Sequence, residues 1–496
     1  MAALVLWEIS RKQDYIFKSN KLAENLGASI IIEKITEELP SEIHSSYSKN
    51  KVFDGGGKSL YRFMTIDNAK AFTKNISRKV LEEYPGIEIF MVIKEYDEEK
   101  DKVTVAIEEA YKKLGIKKNQ RKNSGLQLSF GVEKRCSSTG MPASEYIKED
   151  DRYRDVSKEI LVKLDNSQYR TKKFKKLLEN RDFIKGFREL AKGEKNYMAV
   201  IHIDGNQMGK KFNELKESFN YKNENCKNEN QEYLNKLKKL SNDIQAAYEG
   251  AFKHMCKVVI NNQNKLINDT NIEDDKFPII PIILAGDDIT FACNGKIGIE
   301  CARVFIEYLN KKQIEITKDK KMYLNACAGV AIVRSNYPFK QAYDLAEDLC
   351  KNAKTKVLAD YENENKDFSM IDWHIEQGEI SGTIKEIRDK NYKTEDDSTL
   401  CMRPLYINND EKWYKYSNFL KALEQINNIK IARSKLKKLR EILKKGEKDT
   451  KLYLESNKIE QFFSRFEDTQ GDYCFYESTC MYYDAIELMD LFIELN

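Results

Sequence analysis

The sequence is short of several things, and each shortage excludes something. Its 496 residues hold four histidines, seven prolines and ten cysteines, and no two cysteines form a CxxC pair. The nearest pair, Cys474 and Cys480, matches no zinc-ligand spacing. Single cysteines inside apolar runs, such as Cys293, Cys327 and Cys350, read as small core residues in a reducing cytoplasm rather than as disulfides. No apolar run approaches the roughly 18 residues of a membrane helix, so no membrane role is expected. The opening MAALVLWEIS meets Glu8 too early for a signal-peptide core. An excess of one charge is missing too. The 84 Lys+Arg against 80 Asp+Glu leave +4, so bulk charge demands no nucleic-acid partner. What remains is 41% apolar residues with 27 Tyr and 23 Phe, enough for cores. The length fits about two to four domains.

The informative feature is an internal repeat. In the first copy an apolar run, Ala3 to Trp7, precedes a helical stretch around Tyr15 to Leu26. A turn at Asp54-Gly55-Gly56-Gly57 follows, flanked by Val52-Phe53 and Leu60 to Phe63. Ala69, Phe72, Ile76 and Val80 then recur at helical spacing, with Asp67 as the expected cap. Pro85-Gly86 ends that helix, and Ile87 to Ile93 reads as a strand. The second copy begins with Tyr197 to Ile203, a largely apolar strand running into Asp204-Gly205-Asn206. After a long polar stretch, Ile282-Ile283-Leu284 leads to Gly286-Asp287-Asp288, and Ile289 to Cys293 leaves that turn. Ile297, Cys301, Val304 and Tyr308 mark a helix. Asn325 to Val333 marks a strand, Pro338 a break, and Ala342, Leu345, Leu349 and Ala353 a last helix.

Both copies read strand, helix, hairpin, helix, strand. That order gives an α+β fold, an antiparallel sheet with helices on one face, in a ferredoxin-like or palm layout; a chance match within another α+β arrangement is the alternative. The expected organisation is a first palm-like domain over 1–135, a basic helical linker over 136–195, a second palm over 196–362 and a helical C-terminal domain over 363–496. Within the last, residues 429–445 are expected to form an amphipathic helix with Ile429, Ile431, Leu436, Leu439 and Leu443 near one face. Residues 220–230, NYKNENCKNEN, read as an exposed insertion.

In a palm the first strand lies beside the hairpin, which brings Asp204, Asp287 and Asp288 to one sheet edge. Clustered carboxylates repel unless a cation neutralises them, and hard divalent ions held by oxygen ligands are the usual partners. Two such ions suit in-line displacement at phosphorus. Gly205 leaves room for its carbonyl to join the ligand set. The helix opening at Gly205 to Lys210 offers backbone N–H groups to phosphate. Lys210 or Lys211, and Lys354 or Lys356 on the last helix, add charge near a triphosphate. Each feature alone has an ordinary reading: Asp is common in turns, and Asp204 is a fair helix cap. The case rests on the combination. His202 reads as a packed strand residue.

At these residues the sequence resembles the polymerase–cyclase large subunit of type III CRISPR effector complexes, which carries two palm domains. The segments are HIDGNQMGK, LAGDDITF and AGVAIVRSNYPFKQAYDLAEDLCKNAK in the second copy, and QDYIFKSNKLAENLGAS and FDGGGKSLYRF in the first. The resemblance covers most of Met1 to Asp360. It implies two magnesium or manganese ions held by Asp204, Asp287, Asp288 and the Gly205 carbonyl. It implies a nucleotide site of Gly205, Asn206, Lys210, Gly286 and Lys354, and ATP joined into oligoadenylate messengers. The first palm looks catalytically silent, with Gly56, Gly57 and Ser59 lining the second nucleotide's pocket. There are departures. Ala285 stands where a glycine is common, and Asn206 where a second acid is common. No His-Asp dipeptide occurs, so the HD nuclease domain of many relatives is expected to be absent, as are their zinc cysteines.

The expected function is therefore a metal-dependent nucleotidyltransferase or cyclase that joins NTPs, chiefly ATP, with release of pyrophosphate. Diguanylate cyclases share a similar palm but carry a more acidic hairpin. The alternative is a scaffold that holds nucleotide or RNA without turnover, through basic stretches at 117–122, 170–176 and 430–445, within a defence complex.

Overall fold

The computed structural model describes residues 1–120, 131–149, 152–169, 181–184, 186–191, 196–219, 221, 225–270, 272, 276–317, 320–364, 366–376, 382–428, 431–463, 466 and 474–496.

The first sheet is built from β1 (Ala2–Ser10), β2 (Lys51–Gly55), β3 (Lys58–Phe63) and β4 (Glu88–Tyr96), in the order β2-β3-β1-β4 and antiparallel throughout. Helices α1 (Lys12–Ile16) and α2 (Leu22–Glu33) follow β1, α3 (Ile66–Glu83) joins β3 to β4, and α4 (Val103–Asn119) follows β4. Alternation sends Ala3, Val5, Trp7 and Ile9 to the face where α3 places Phe72, Ile76 and Val80. Ala2, Leu4 and Leu6 meet Val103, Ala106 and Ala110 of α4 on the other face. The cap of α3 is Thr65, whose hydroxyl accepts from the Asn68 amide at 3.3 Å, and not Asp67. Thr65 has the extended backbone a capping residue needs, whereas Asp67 already lies inside the helix.

The region between the palms is not purely helical. It holds a hairpin of β5 (Glu145–Glu149) and β6 (Arg152–Val156), then α5 (Lys158–Ser167). The basic run at 170–176 lies outside the described residues.

The second sheet repeats the first and extends it. Its members are β7 (Tyr197–Gly205), β8 (Ile279–Ala285), β9 (Asp288–Asn294), β10 (Ala326–Arg334), β11 (Met370–Ile375) and β12 (Leu405–Tyr406), in the order β8-β9-β7-β10-β11-β12. The first four have the arrangement of β2-β3-β1-β4, so the repeat read from the sequence is a repeat of topology. Helices α6 (Met208–Glu217) and α7 (Lys227–Asn261) follow β7, α8 (Gly298–Asn310) follows β9, and α9 (Phe339–Glu364) follows β10. Ala199, Ile201 and Ile203 pack with α7 and α8, while Met198 and Val200 pack with Ala342, Tyr343 and Ala346 of α9. Helices therefore cover both faces of each sheet and not the one face expected, and this double burial is why β7 reads as an unbroken apolar run.

The sheet runs past residue 362, because β11 pairs in parallel with β10, and β12 pairs antiparallel with β11. Trp373 of β11 packs against Phe419 of α10 (Tyr416–Asn428), ring centres 5.0 Å apart and tilted by 52°, so the C-terminal helices share the second palm's core. Leu436, Leu439 and Leu443 are buried on α11 (Arg433–Leu443), as the sequence pattern expects, but the helix starts after Ile431, and position 429 lies outside the described residues. Within the supposed insertion, Asn230 is buried. Its side chain accepts from the Val103 amide at 2.8 Å and donates to the Glu98 and Asp101 carbonyls, tying α7 to the first palm. The other expectation for this stretch, at 220 and 222–224, lies outside the described residues. All ten cysteines are free and buried.

Gly329 of β10 sets how closely α9 can approach. A Cβ there would lie 2.0 Å from the Ala346 carbonyl oxygen and 2.5 Å from the Cys350 nitrogen, both backbone. Gly329→Ala is expected to lower stability by about 2 kcal/mol or more. Denaturant unfolding checks this, and an unchanged midpoint would contradict the packing described.

Candidate functional site

The site is set by strand register. On β7 and β9, Asp204 and Asp288 are direct antiparallel neighbours, and Cys327 of β10 lies opposite Asp204 on its other side. Asp287 occupies the β8–β9 turn beside Gly286, whose φ of +65° favours glycine. Gly205 is fixed by crowding. A Cβ there would lie 2.4 Å from Met208 Cε, 2.5 Å from the Tyr248 hydroxyl and 3.1 Å from Asp287 Cβ. The absent side chain lets the turn fold against the end of β7. Burial raises the Asp287 carboxyl to about 6, and the charges of Asp204 and then Asp288 push the same way.

Two ammonium groups stand against these acids. Lys354 of α9 places Nζ 2.6 Å from Asp204 Oδ2 and donates to the Gly205 carbonyl at 2.8 Å. Burial works against that charge, but Asp204 outweighs it and keeps Lys354 above its usual range. Lys12, at the start of α1, lies 3.3 Å from Asp288 Oδ2. Asp288 Oδ1 is buried without a hydrogen-bond partner. Among the described residues no group of three Asp, Glu, His or Cys residues is arranged to hold a metal.

Beside the acids lies a cleft of about 490 Å³ with walls from both palms. The first palm contributes Gly55, Gly56 and Lys58 from its hairpin and Tyr111 from α4. The second contributes Met208 and Phe212 from α6, Tyr233 from α7, and Gly286 and Asp287 from its turn. That size and a largely apolar wall suit a small molecule.

The other expected residues divide. Gly56 lines this cleft, and Gly57 lines a smaller cavity with Lys12 and Ala285. Ser59 does not reach either; it is fully buried opposite Trp7 in the first sheet. Asn206 is turned away from the acids, donating to the Phe368 carbonyl at 2.7 Å and to Asp367 Oδ1 at 3.3 Å. Lys210 is engaged by Tyr361, its ammonium 4.3 Å from the ring centre. Lys211 is buried and donates to the Asn206 carbonyl at 2.6 Å. Lys356 lies 3.8 Å over the Tyr414 ring. Helical rotation explains these departures: on α6 and α9 only some positions of each turn face the sheet edge, and Lys354 occupies one while Lys356 does not. His202 is buried, 3.2 Å from the Thr290 hydroxyl, as a packed strand residue.

Sequence reasoning missed Lys12, Asp367 and Glu8. The register pairs Glu8 with Lys58, the first residue of β3, as it pairs Asp204 with Asp288, the first residue of β9. The two side chains are 3.8 Å apart, and Lys118 also approaches Glu8 at 3.1 Å. Where the second palm has two facing acids, the first has an acid facing a base. Only the pairing register reveals this.

Residues 197–361 match the family model for Cas10/Cmr2, second palm domain. That stretch is the second palm described above. The fold agrees with solved Csm1 structures. Csm1 from T.onnurineus superposes with a TM-score of 0.55 at 13% identity, over 99% of this chain and 69% of that one. A Csm1–Csm4 cassette in complex with AMPPNP gives 0.54 at 13% identity, over 99% and 70%. A cassette in complex with cA3 gives 0.53 at 12% identity, over 99% and 69%. The chain spans between 53% and 70% of the length of such solved chains. No curated protein matches the sequence. Among the described residues no helix is long and apolar enough to cross a membrane.

The raised Asp287 carboxyl has a consequence for stability. With a folded pKa of about 6 against a usual 3.8, ionised Asp287 destabilises the metal-free fold near neutral pH, and the cost fades as pH falls through that range. Asp287→Asn is expected to raise the thermal midpoint at pH 7 and to give little or no gain near pH 4.5. Melting curves across this range check it; a loss of stability at pH 7 would contradict it.

Proposed function

We propose that the chain is a metal-dependent nucleotidyltransferase of the oligonucleotide-cyclase kind, joining ATP into a cyclic or linear messenger in CRISPR-type defence. The observation that carries this is the facing pair Asp204 and Asp288, with Asp287 in the adjoining turn, beside a cleft shared by two palms. The Cas10/Cmr2 match over the same residues supports it, as do the AMPPNP and cA3 complexes of the Csm1–Csm4 cassettes.

The donor chemistry, though not the lysine-bound arrangement of the side chains, suits a pair of magnesium or manganese ions. The residues offer oxygen ligands only, a buried Asp288 Oδ1 that lacks a hydrogen bond, and two ammonium groups at the positions where positive charge is needed. Asp204, Asp287, Asp288 and the Gly205 carbonyl would hold the ions. Bound there, such ions would supply a lowered pKa for an attacking ribose hydroxyl and positive charge for leaving pyrophosphate.

The chain's own residues do the positioning. Tyr111, Phe212 and Tyr233 give the cleft an aromatic wall for a nucleobase. Gly56 lets the first palm's hairpin approach without a side chain. Lys354, held at the end of β7 beside Asp204 and the Gly205 carbonyl, would offer its ammonium to a phosphate oxygen. The first palm, with Glu8 facing Lys58, holds no second catalytic pair and serves as the other wall. Catalysis is then mainly orientation and charge stabilisation. Partners on this reading are nucleoside triphosphates and subunits of a defence complex.

The test is incubation of the full chain with labelled ATP and magnesium or manganese, with chromatography of the products. Oligoadenylates and pyrophosphate are expected. Asp287→Ala/Asp288→Ala is expected to lower the rate by about 100-fold or more. Equal product from the double variant would overturn the site. Tight ATP binding by the wild type with no product in the presence of either metal would favour the scaffold reading.

A further inference from the structure

We propose that Lys12 is a latch between the palms: an ammonium of the first palm that holds Asp288 until a divalent cation displaces it, so that ion loading loosens the contact between the two hairpins. The proposal rests on the reading of Asp288 as an ion ligand and adds to it a residue of the other palm.

Its geometry is specific. One ammonium spans two partners, donating to the Gly56 carbonyl of the first palm's hairpin at 2.9 Å and lying 3.3 Å from Asp288 Oδ2 of the second palm's hairpin. Asp288 is 276 residues away in sequence. The side chains are 28% and 16% exposed, so the pair is shielded enough for charge to count. The lysine is aimed by its backbone and its neighbours. Arg11, just before it, has a left-handed φ of +50°, which ends β1 and starts α1 at once. Gly57 lies under the aliphatic stem, where an added Cβ would be 3.5 Å from Lys12 Cδ. The two hairpins come close at the same point, where Gly56 and Ala285 line the same cavities and a Cβ on Gly56 would lie 3.7 Å from the Ala285 carbonyl oxygen.

The chemistry is a competition. Asp288 has one oxygen on the lysine and the other buried without a hydrogen bond, 3.7 Å from His202 Nδ1. A cation that uses both carboxylate oxygens must take the place of the ammonium, because two positive centres on one carboxylate repel. When Lys12 leaves Asp288, the side-chain link between that acid and the Gly56 carbonyl is lost. The first palm would thereby respond to ion loading without holding an ion.

The test is manganese binding to the full chain, followed by paramagnetic resonance of free Mn²⁺ without nucleotide, together with hydrogen exchange of the hairpin at 54–58. Lys12→Met is expected to bind Mn²⁺ roughly three- to tenfold more tightly than wild type, as expected for loss of a partly buried ion pair. Lys12→Arg, which keeps the charge, is expected to stay near wild type. Exchange at 54–58 is expected to rise in wild type when Mn²⁺ is added, and to be already high and insensitive to Mn²⁺ in Lys12→Met. Equal or weaker binding by Lys12→Met, with wild-type binding still dependent on Asp287 and Asp288, overturns the latch and leaves the ion site standing. Wild-type Mn²⁺ binding unaffected by Asp287→Ala/Asp288→Ala overturns the ion site and the latch with it.

Discussion

Three carboxylates are held at one end of a strand that is buried on both faces, and the rest of the site answers to that fact. β7 cannot move to relieve the repulsion, because Met198 to Ile203 are locked between α7, α8 and α9. Each such apolar side chain contributes on the order of 1.5–3 kcal/mol when buried, which far exceeds a carboxylate pair's repulsion at a partly exposed edge. Packing therefore wins over electrostatics, and the charges must be balanced locally. Protonation of Asp287 near pH 6, the Lys354 ammonium on Asp204 and the Lys12 ammonium on Asp288 are three forms of that balance.

The two palms show how one topology is tuned in two ways. The strand order and the register at the first strand's end are the same, yet the facing pair is Asp204 with Asp288 in one palm and Glu8 with Lys58 in the other. The first pair draws its balance from two lysines outside the facing strands, Lys354 and Lys12, whereas in the second the base is the facing residue itself. The glycine-rich turn of the first palm has thus become a wall for its neighbour's site. This division of labour gives a cleft that neither palm could enclose alone.

Much of this could be read from the chain. The apolar runs and turn residues placed all the palm strands, because buried strands and glycine turns leave strong local signals. Asp204, Gly205, Gly286, Asp287 and Gly56 converge as their positions at strand ends imply. Other residues were not legible, for physical reasons. Whether Asn206 or Lys210 faces the acids depends on helix rotation and on Asp367 and Tyr361, which lie about 150 or more residues away in the chain. Ser59 falls on the inward side of β3, a matter of register. Lys12 is one of many lysines, and only the docking of the two hairpins singles it out. The continuation of the sheet into β11 and β12 was hidden by a helical composition around two short strands.

The central claim is that these acids are a cation site. Anomalous diffraction from crystals grown with Mn²⁺ tests it most directly. The account predicts manganese peaks between Asp204, Asp287 and Asp288, with the Lys12 and Lys354 ammonium groups moved off their carboxylates. Crystals with no anomalous density there, and both lysines still on the acids, would contradict it.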